Sequence, residues 1–189
     1  MGYSTLGRTI VIVPLTLSTA RLLLRPPQPA DAAAVFDYAS DPLVVRYVDW
    51  PASVEPADGI RATERALQKW ELGEEYSWRL TLPPNDTPIG SVGCRVKGEA
   101  ADFGFVLNRR HWGQGYATEA AGAVLDWLKP LDVITRIQAT CDVENVASAR
   151  VLEKLGLSRE TRLPNYTVRP NMPGAPRRDA FLYSWTRGA

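Results

Sequence analysis

From Tyr76 to Cys141 the sequence leaves few ways to arrange its backbone. Tyr76, Trp78, Leu80 and Leu82 alternate with Ser77, Arg79 and Thr81, which is the period of a strand, until Pro83-Pro84-Asn85-Asp86 forces a turn. Residues 89–96 and 102–107 are two more strand-like runs, separated by Lys97-Gly98-Glu99. Links this short join antiparallel neighbours, so the three runs are expected to form a meander. The period then changes: Ala120, Val124, Leu125 and Leu128 share one face of a helix over Tyr116–Leu128, which Pro130 closes. Residues 135–141 read as a strand again, and a strand reached through a helix can return parallel to the last strand of the meander. Such a crossover sets a helix N-terminus at the C-terminal end of the strand that finishes at Leu107.

The flanks extend the same pattern. Residues 21–25 read as a strand, 31–39 as a helix opening at Asp31, and 60–72 as an amphipathic helix with Ile60, Ala66, Leu67 and Trp70 on its apolar stripe and Gly73 at its end. Downstream, residues 146–155 form a helix stopped by Gly156, and 158–163 and 180–186 are strands. The class is α+β, a mixed and mostly antiparallel sheet with flanking helices. A chain of 189 residues, 45% of them hydrophobic, buries one sizeable core, so we expect a single domain over 1–189, with residues 1–17 as an N-terminal extension.

Charge excludes some partners at the level of composition. The 22 basic and 21 acidic residues nearly cancel and no run of like charge stands out, so neither nucleic acid nor a membrane surface is expected as the main partner. The longest apolar stretches, residues 9–17 and 21–24, are too short to span a bilayer, and the start lacks the features of a secretory signal, so a cytoplasmic location is expected. Cys94 and Cys141 are too few for a disulfide framework and sit in strand-like runs, where a thiol packs as a small hydrophobe; no metal is expected.

The chemistry concentrates at the junction after Leu107, which reads Asn108-Arg109-Arg110-His111-Trp112-Gly113-Gln114-Gly115-Tyr116-Ala117-Thr118-Glu119. Two glycines one residue apart, just before a helix, let backbone N–H groups point into one concavity, and the helix dipole reinforces it as an anion site. Arg109 and Arg110 either add cationic side chains to that site or are solvated loop charges. A glycine pair alone can also serve only the turn. The dinucleotide pattern would need a third glycine where Thr118 stands, and the P-loop pattern would need Gly-Lys-Ser/Thr, so both readings drop out.

Arg110-x-x-Gly113-x-Gly115 resembles the Gln/Arg-x-x-Gly-x-Gly/Ala signature of the GNAT superfamily of N-acetyltransferases, and the run from Trp112 to Ala120 is similar to its RimJ/RimL-type branch. Asn145-Val-Ala-Ser148, leading to Lys154-Leu-Gly156-Leu157, resembles a second segment of that branch, and the order of elements is the GNAT order. The resemblance covers residues 18–183. It implies a GNAT fold with a splayed central strand pair, and acetyl-CoA as cosubstrate. The pyrophosphate would lie on the backbone of Arg110, His111, Trp112, Gly113, Gln114 and Gly115 and on the first helical turn, Tyr116, Ala117 and Thr118. Pantetheine would lie in the gap beside Phe105, Val106 and Leu107, with Asn145 orienting it or capping its own helix.

Acetyl transfer to an amine needs a neutral amine, donors for the oxyanion and a proton for the departing thiolate. The resemblance implies a backbone N–H near Leu107 as oxyanion donor. Many relatives place a proton-donating Tyr seven residues after the motif Asn, where this chain has Leu152; Ser148 is the substitute that the branch offers, or else a serine of the helix start. Glu74 and Glu75 are the candidate bases, with Asp102 and a bound water as further options, while Glu119 supports the first turn of its helix. Tyr38, Tyr47, Trp50, Trp78 and Asp49 belong to segments that wall the acceptor in relatives, although strand alternation assigns Trp78 to the core. Residues 164–178, with four prolines, either cover the site as a loop or carry a homodimer contact. The expected function is transfer of an acetyl group from acetyl-CoA to a primary amine, either a protein or peptide N-terminus or a small molecule. The alternative is a CoA-binding sensor without catalysis.

Overall fold

The computed structural model describes residues 2–6 and 9–188, with side chains from residue 11 onward. Its elements run β1 (Gly2–Leu6), β2 (Thr9–Val13), β3 (Leu17–Ser18), β4 (Leu23–Arg25), α1 (Ala32–Ala39), α2 (Pro56–Glu71), β5 (Tyr76–Leu82), β6 (Asn85–Lys97), β7 (Ala100–Leu107), α3 (Tyr116–Leu128), β8 (Arg136–Asp142), α4 (Val146–Lys154), β9 (Ser158–Val168) and β10 (Arg177–Thr186). Strands β3 to β10 form one sheet in the order β3-β4-β5-β6-β7-β8-β10-β9. The meander β5-β6-β7 is antiparallel, with Tyr76 opposite Cys94 and Gly93 opposite Gly104. This is the GNAT fold expected of the element order.

The crossover through α3 brings β8 parallel to β7, but the two pair only over Ala100–Arg136, Ala101–Ile137 and Asp102–Gln138. Beyond those residues β7 continues along β6, to Gly90–Leu107, and β8 continues along β10, to Ala180–Asp142. Each strand keeps a partner on its outer side, so the sheet opens along its middle and residues 103–107 of β7 present an inner edge to the gap.

Two apolar clusters flank the sheet. The larger joins α3, α4 and Trp70 of α2 to the strands, and Trp78 lies at its centre, fully buried and edge-on to Trp70 (5.2 Å between ring centroids) and Trp127 (5.8 Å). The smaller joins α1 to Val44 and Val45 and packs on Val106. Phe103 and Leu107 belong to the larger cluster, so the strand period puts the two clusters on opposite faces at the open edge. Both cysteines are buried, and burial raises their thiols above the ordinary range, Cys141 to about 11.

Several boundaries differ from the sequence reading. Ile60 is half exposed rather than on the buried stripe, and Gly59, Thr63 and Trp70 are the buried residues of α2. A Cβ on Gly59 would stand 2.3 Å from Ala32 O, so close approach of α1 selects that face. Helix α2 also begins at Pro56, where the Asp58 carboxylate accepts from the Val54 and Glu55 N–H groups. Of the segment 164–178, residues 164–168 belong to β9 and 177–178 to β10, with a turn between them. Residues 9–13, read as an apolar stretch, form β2, whose Val11 and Val13 join the core.

Candidate functional site

The turn after β7 uses up its first backbone donors. Arg110 N–H donates to Asn108 Oδ1 (3.1 Å), His111 N–H to Asn108 O (2.9 Å) and Trp112 N–H to Arg109 O (3.2 Å). Gly113 (φ +75°) and Gly115 (φ +83°) then take left-handed backbone, which turns the chain into α3. Among the described residues the N–H groups from Gly113 to Thr118 have no acceptor outside the helix, and the helix bonds begin with Glu119 N–H on Gly115 O (3.0 Å). Six unfilled donors at the positive end of a helix form a concavity suited to an anion, within the expected span of residues 110–118 but without the N–H groups of Arg110, His111 and Trp112.

Side chains brace this turn. Arg21 donates through Nε to Glu119 (2.7 Å) and through Nη1 to Gln114 O (2.9 Å), and its guanidinium lies 4.4 Å from the centre of the Tyr116 ring. Glu119 also accepts from Thr19 Oγ1 (2.5 Å); burial alone would raise its pKa, but these bonds hold it below the ordinary glutamate value. Arg109 and Arg110 turn away from the cleft to Asp41 (2.6 Å) and Asp37 (3.3 Å), so their side chains are tied to α1 and the loop after it. Trp112 Nε1 donates to Leu107 O (2.7 Å), which satisfies that carbonyl without an adjacent strand.

An open cleft of roughly 1300 Å³ runs from Gly113 and Thr118 through the gap to Asn145 and Ser148. Asn108 N–H bonds Ile89 O (2.8 Å), which sets the phase of the β6–β7 ladder: Val106 exchanges bonds with Ser91, and the N–H groups of Phe105 and Leu107 point into the gap. On the far wall Asn145 caps α4 by accepting from Ser148 N–H (3.1 Å). The cap is thereby filled by Asn145, and the Ser148 hydroxyl makes no hydrogen bond among the described residues. Leu152 is buried in the core and has no proton to give.

Past the gap the cleft widens on the α1 face of the sheet. Gly93 and Gly104 oppose each other there with Ser91 beside them; the space over Gly104 is open, and the Glu75 carboxylate stands over Gly93, 3.2 Å from where a Cβ would be. Tyr47, Asp49 and Trp50 form one wall, whereas Tyr38 and Trp78 are core residues. Glu75 lines the cleft, 2.9 Å from Lys69 Nζ, while Glu74 is exposed and outside it; Asp102 lines the cleft paired with Arg95 (3.1 Å).

The β9–β10 hairpin lines the cleft, as one of the two readings of residues 164–178 had it, but sequence reasoning singled out none of its residues. Asn171, at its tip, donates to Val45 O and Trp50 O (2.8 Å each) and accepts from Ala52 N–H (2.7 Å), so the tip is fastened to the loop between α1 and α2. Beneath it the buried Asp142 accepts from Arg178 (2.9 and 3.2 Å), the Glu144 N–H (3.0 Å) and Arg169 (3.4 Å). Desolvation works to raise the pKa of Asp142, but Arg178 foremost, with the Glu144 N–H and Arg169, holds it below the ordinary aspartate value. No signal in the sequence pairs these residues, which come from distant segments.

A family model described as Acetyltransferase (GNAT) domain matches residues 21–158. YnaD of Bacillus subtilis (strain 168), described as an uncharacterized N-acetyltransferase, is 35% identical over 147 residues, covering 76% of this chain and 83% of YnaD. The crystal structure of a GNAT-family acetyltransferase from Bacillus anthracis superposes with a TM-score of 0.77 at 26% identity, over 90% of this chain and 98% of that one. RimL, a ribosomal L7/L12 alpha-N-protein acetyltransferase solved in complex with coenzyme A, shares the fold with a TM-score of 0.78 at 16% identity, over 90% of this chain and 97% of its own.

Proposed function

The chain belongs to the GNAT acetyltransferase family, and from that premise we propose that it transfers an acetyl group from acetyl-CoA directly to a primary amine. The observation that carries the reading is a pair of unfilled donor sets: six N–H groups from Gly113 to Thr118, leading into α3, and those of Phe105 and Leu107 in the gap between β7 and β8. The first set suits a pyrophosphate and the second an extended, amide-bearing arm that takes the place of a missing strand. Bound there, acetyl-CoA supplies the thioester that is attacked.

The chain's own residues have separate tasks. The Leu107 N–H faces the reacting carbonyl as an oxyanion donor, and the Ser148 hydroxyl relays a proton to the sulfur as the C–S bond breaks, taking one up in turn from cleft water. Glu75 takes the amine proton, directly or through a water, and Lys69 holds that carboxylate at the cleft wall. Asn145 orients the arm while it caps α4. The whole chain acts as one domain of the RimJ/RimL-type branch, a reading supported by the motif from Trp112 to Ala120. The acceptor is a protein or peptide N-terminus, as for RimL, or a small-molecule amine.

Turnover of acetyl-CoA with N-terminal peptides, polyamines, aminoglycosides and free amino acids tests this proposal, with Ser148→Ala as its control. The substitution should lower kcat on the order of 100-fold while leaving acetyl-CoA affinity in place. Unchanged kcat removes Ser148 from the mechanism. Tight binding with no transfer to any amine would support the sensor reading, which the apolar Leu152 favours.

A further inference from the structure

At the acceptor end of the cleft one largely buried guanidinium has donors that no described residue accepts. Arg169 is 5% exposed, and its backbone is held on both sides, N–H to Pro176 O (3.0 Å) and O from Met172 N–H (3.1 Å). Its Nε reaches Asp142 Oδ2 at 3.4 Å, but Arg178 grips the same carboxylate more closely, at 2.9 and 3.2 Å, and is itself completed at the rim by Glu144 (2.6 Å). Among the described residues Nη1 and Nη2 of Arg169 donate no hydrogen bond, although the side chain lines the cleft it shares with Leu107 and Ser148. Asn171, two residues on, ties this loop to Val45, Trp50 and Ala52, so Arg169 is fixed against the wall that holds Tyr47 and Trp50. A guanidinium offers five N–H donors in a planar fork, and the four on Nη1 and Nη2 are left to the open cleft, where a ligand can take them in place of water. A carboxylate fills two of them at once with matching geometry.

We propose that Arg169 is a specificity-determining residue that binds a carboxylate carried by the acceptor, so that the protein acetylates amines bearing an acidic group. The inference rests on the acetyl-transfer reading for its context, but it makes a binding claim of its own. The carboxylate can come from a free amino acid or from an acidic side chain near a peptide N-terminus.

The test uses the full chain saturated with CoA. Binding of N-acetyl amino acids is compared by calorimetry with that of their carboxamides, and binding of acetylated tripeptide amides led by Asp or Glu with those led by Asn or Gln. The same pairs, unacetylated, are then run as acceptors with acetyl-CoA. Wild type should favour the carboxylate member by about tenfold or more in binding and in kcat/KM, and Arg169→Gln should bring that ratio close to one. Arg169→Lys, which keeps a charge near Asp142 but loses the fork, should retain only part of the preference. Preference within the amino-acid pairs assigns the carboxylate to a free amino acid, and preference within the tripeptide pairs to a peptide. Equal binding of carboxylate and carboxamide by wild type would overturn the inference. So would an Arg169→Gln protein that weakens both members by the same factor, because a mere prop for Asp142 would do that. If no amine is acetylated yet the carboxylates still bind better to wild type than to Arg169→Gln, the inference stands and the transfer reading falls.

Discussion

Gly113 is the residue at which an added side chain tests the proposed cofactor site most directly. No heavy atom lies within 4 Å of where its Cβ would stand, so a side chain there meets no protein and projects into the cleft. Its φ of +75° adds a strain of about 1–2 kcal/mol for an L-residue. Gly113→Val should therefore fold with a modestly lower thermal midpoint and lose acetyl-CoA affinity by about tenfold or more, which calorimetry reads directly. An affinity equal to wild type would remove the turn from the cofactor site. At this scale the sequence was legible in local geometry, in the left-handed backbone of Gly113 and Gly115 and in the Asn145 cap on the Ser148 N–H. Arg109 and Arg110 could not be assigned from the sequence because their partners, Asp41 and Asp37, come from the far side of the meander. Arg169 and Asn171 escaped notice for the same reason.

Helix α3 and strand β5 were legible to the residue, because Pro130 and Pro83 stop them and their apolar periods are clean. The buried face of α2 was legible only in part: Trp70 lies on it, with Ala66 and Leu67 half-buried, but the approach of α1 at Gly59 leaves Ile60 turned outward. The β9–β10 hairpin was read as too short because most of the residues it adds, 164–168 and 177–179, are exposed, which leaves no alternation to follow. That hairpin depends on Asp142, whose folded pKa lies below its unfolded one. The unfolded chain thus binds the proton more readily. The stability this carboxylate contributes is full at neutral pH and is lost as pH falls below about 3.9, the unfolded value, through the folded one. Asp142→Asn should cost about 3 kcal/mol at neutral pH, leaving Arg169 and Arg178 without their shared partner, and should flatten the acid limb of the stability curve. Denaturant titrations of both proteins at several pH values check this, and an unaltered acid limb would show that Asp142 does not control it.

Across the whole molecule, the cleft exists because β7 keeps β6 and β8 keeps β10, so that neither has an inner partner beyond Asp102 and Gln138. Element order and the parallel return could be read from period and link length. The opening could not, because hydrophobic patterning describes which face a residue takes and not whether two parallel strands stay together; it was expected only through the family resemblance. The acceptor half took shape only when the hairpin and the α1–α2 loop met through Asn171. The central claim is that this opening holds acetyl-CoA for direct transfer to an amine. Its most direct test follows release of the CoA thiol with and without an amine acceptor, weighing the acceptor and the protein in the same tube. The account predicts thiol release that depends on the amine, one acetyl group gained by the acceptor for each thiol freed, and no acetyl group left on the protein. Thiol release without an amine, or an acetylated protein that then passes its acetyl group on, would contradict it.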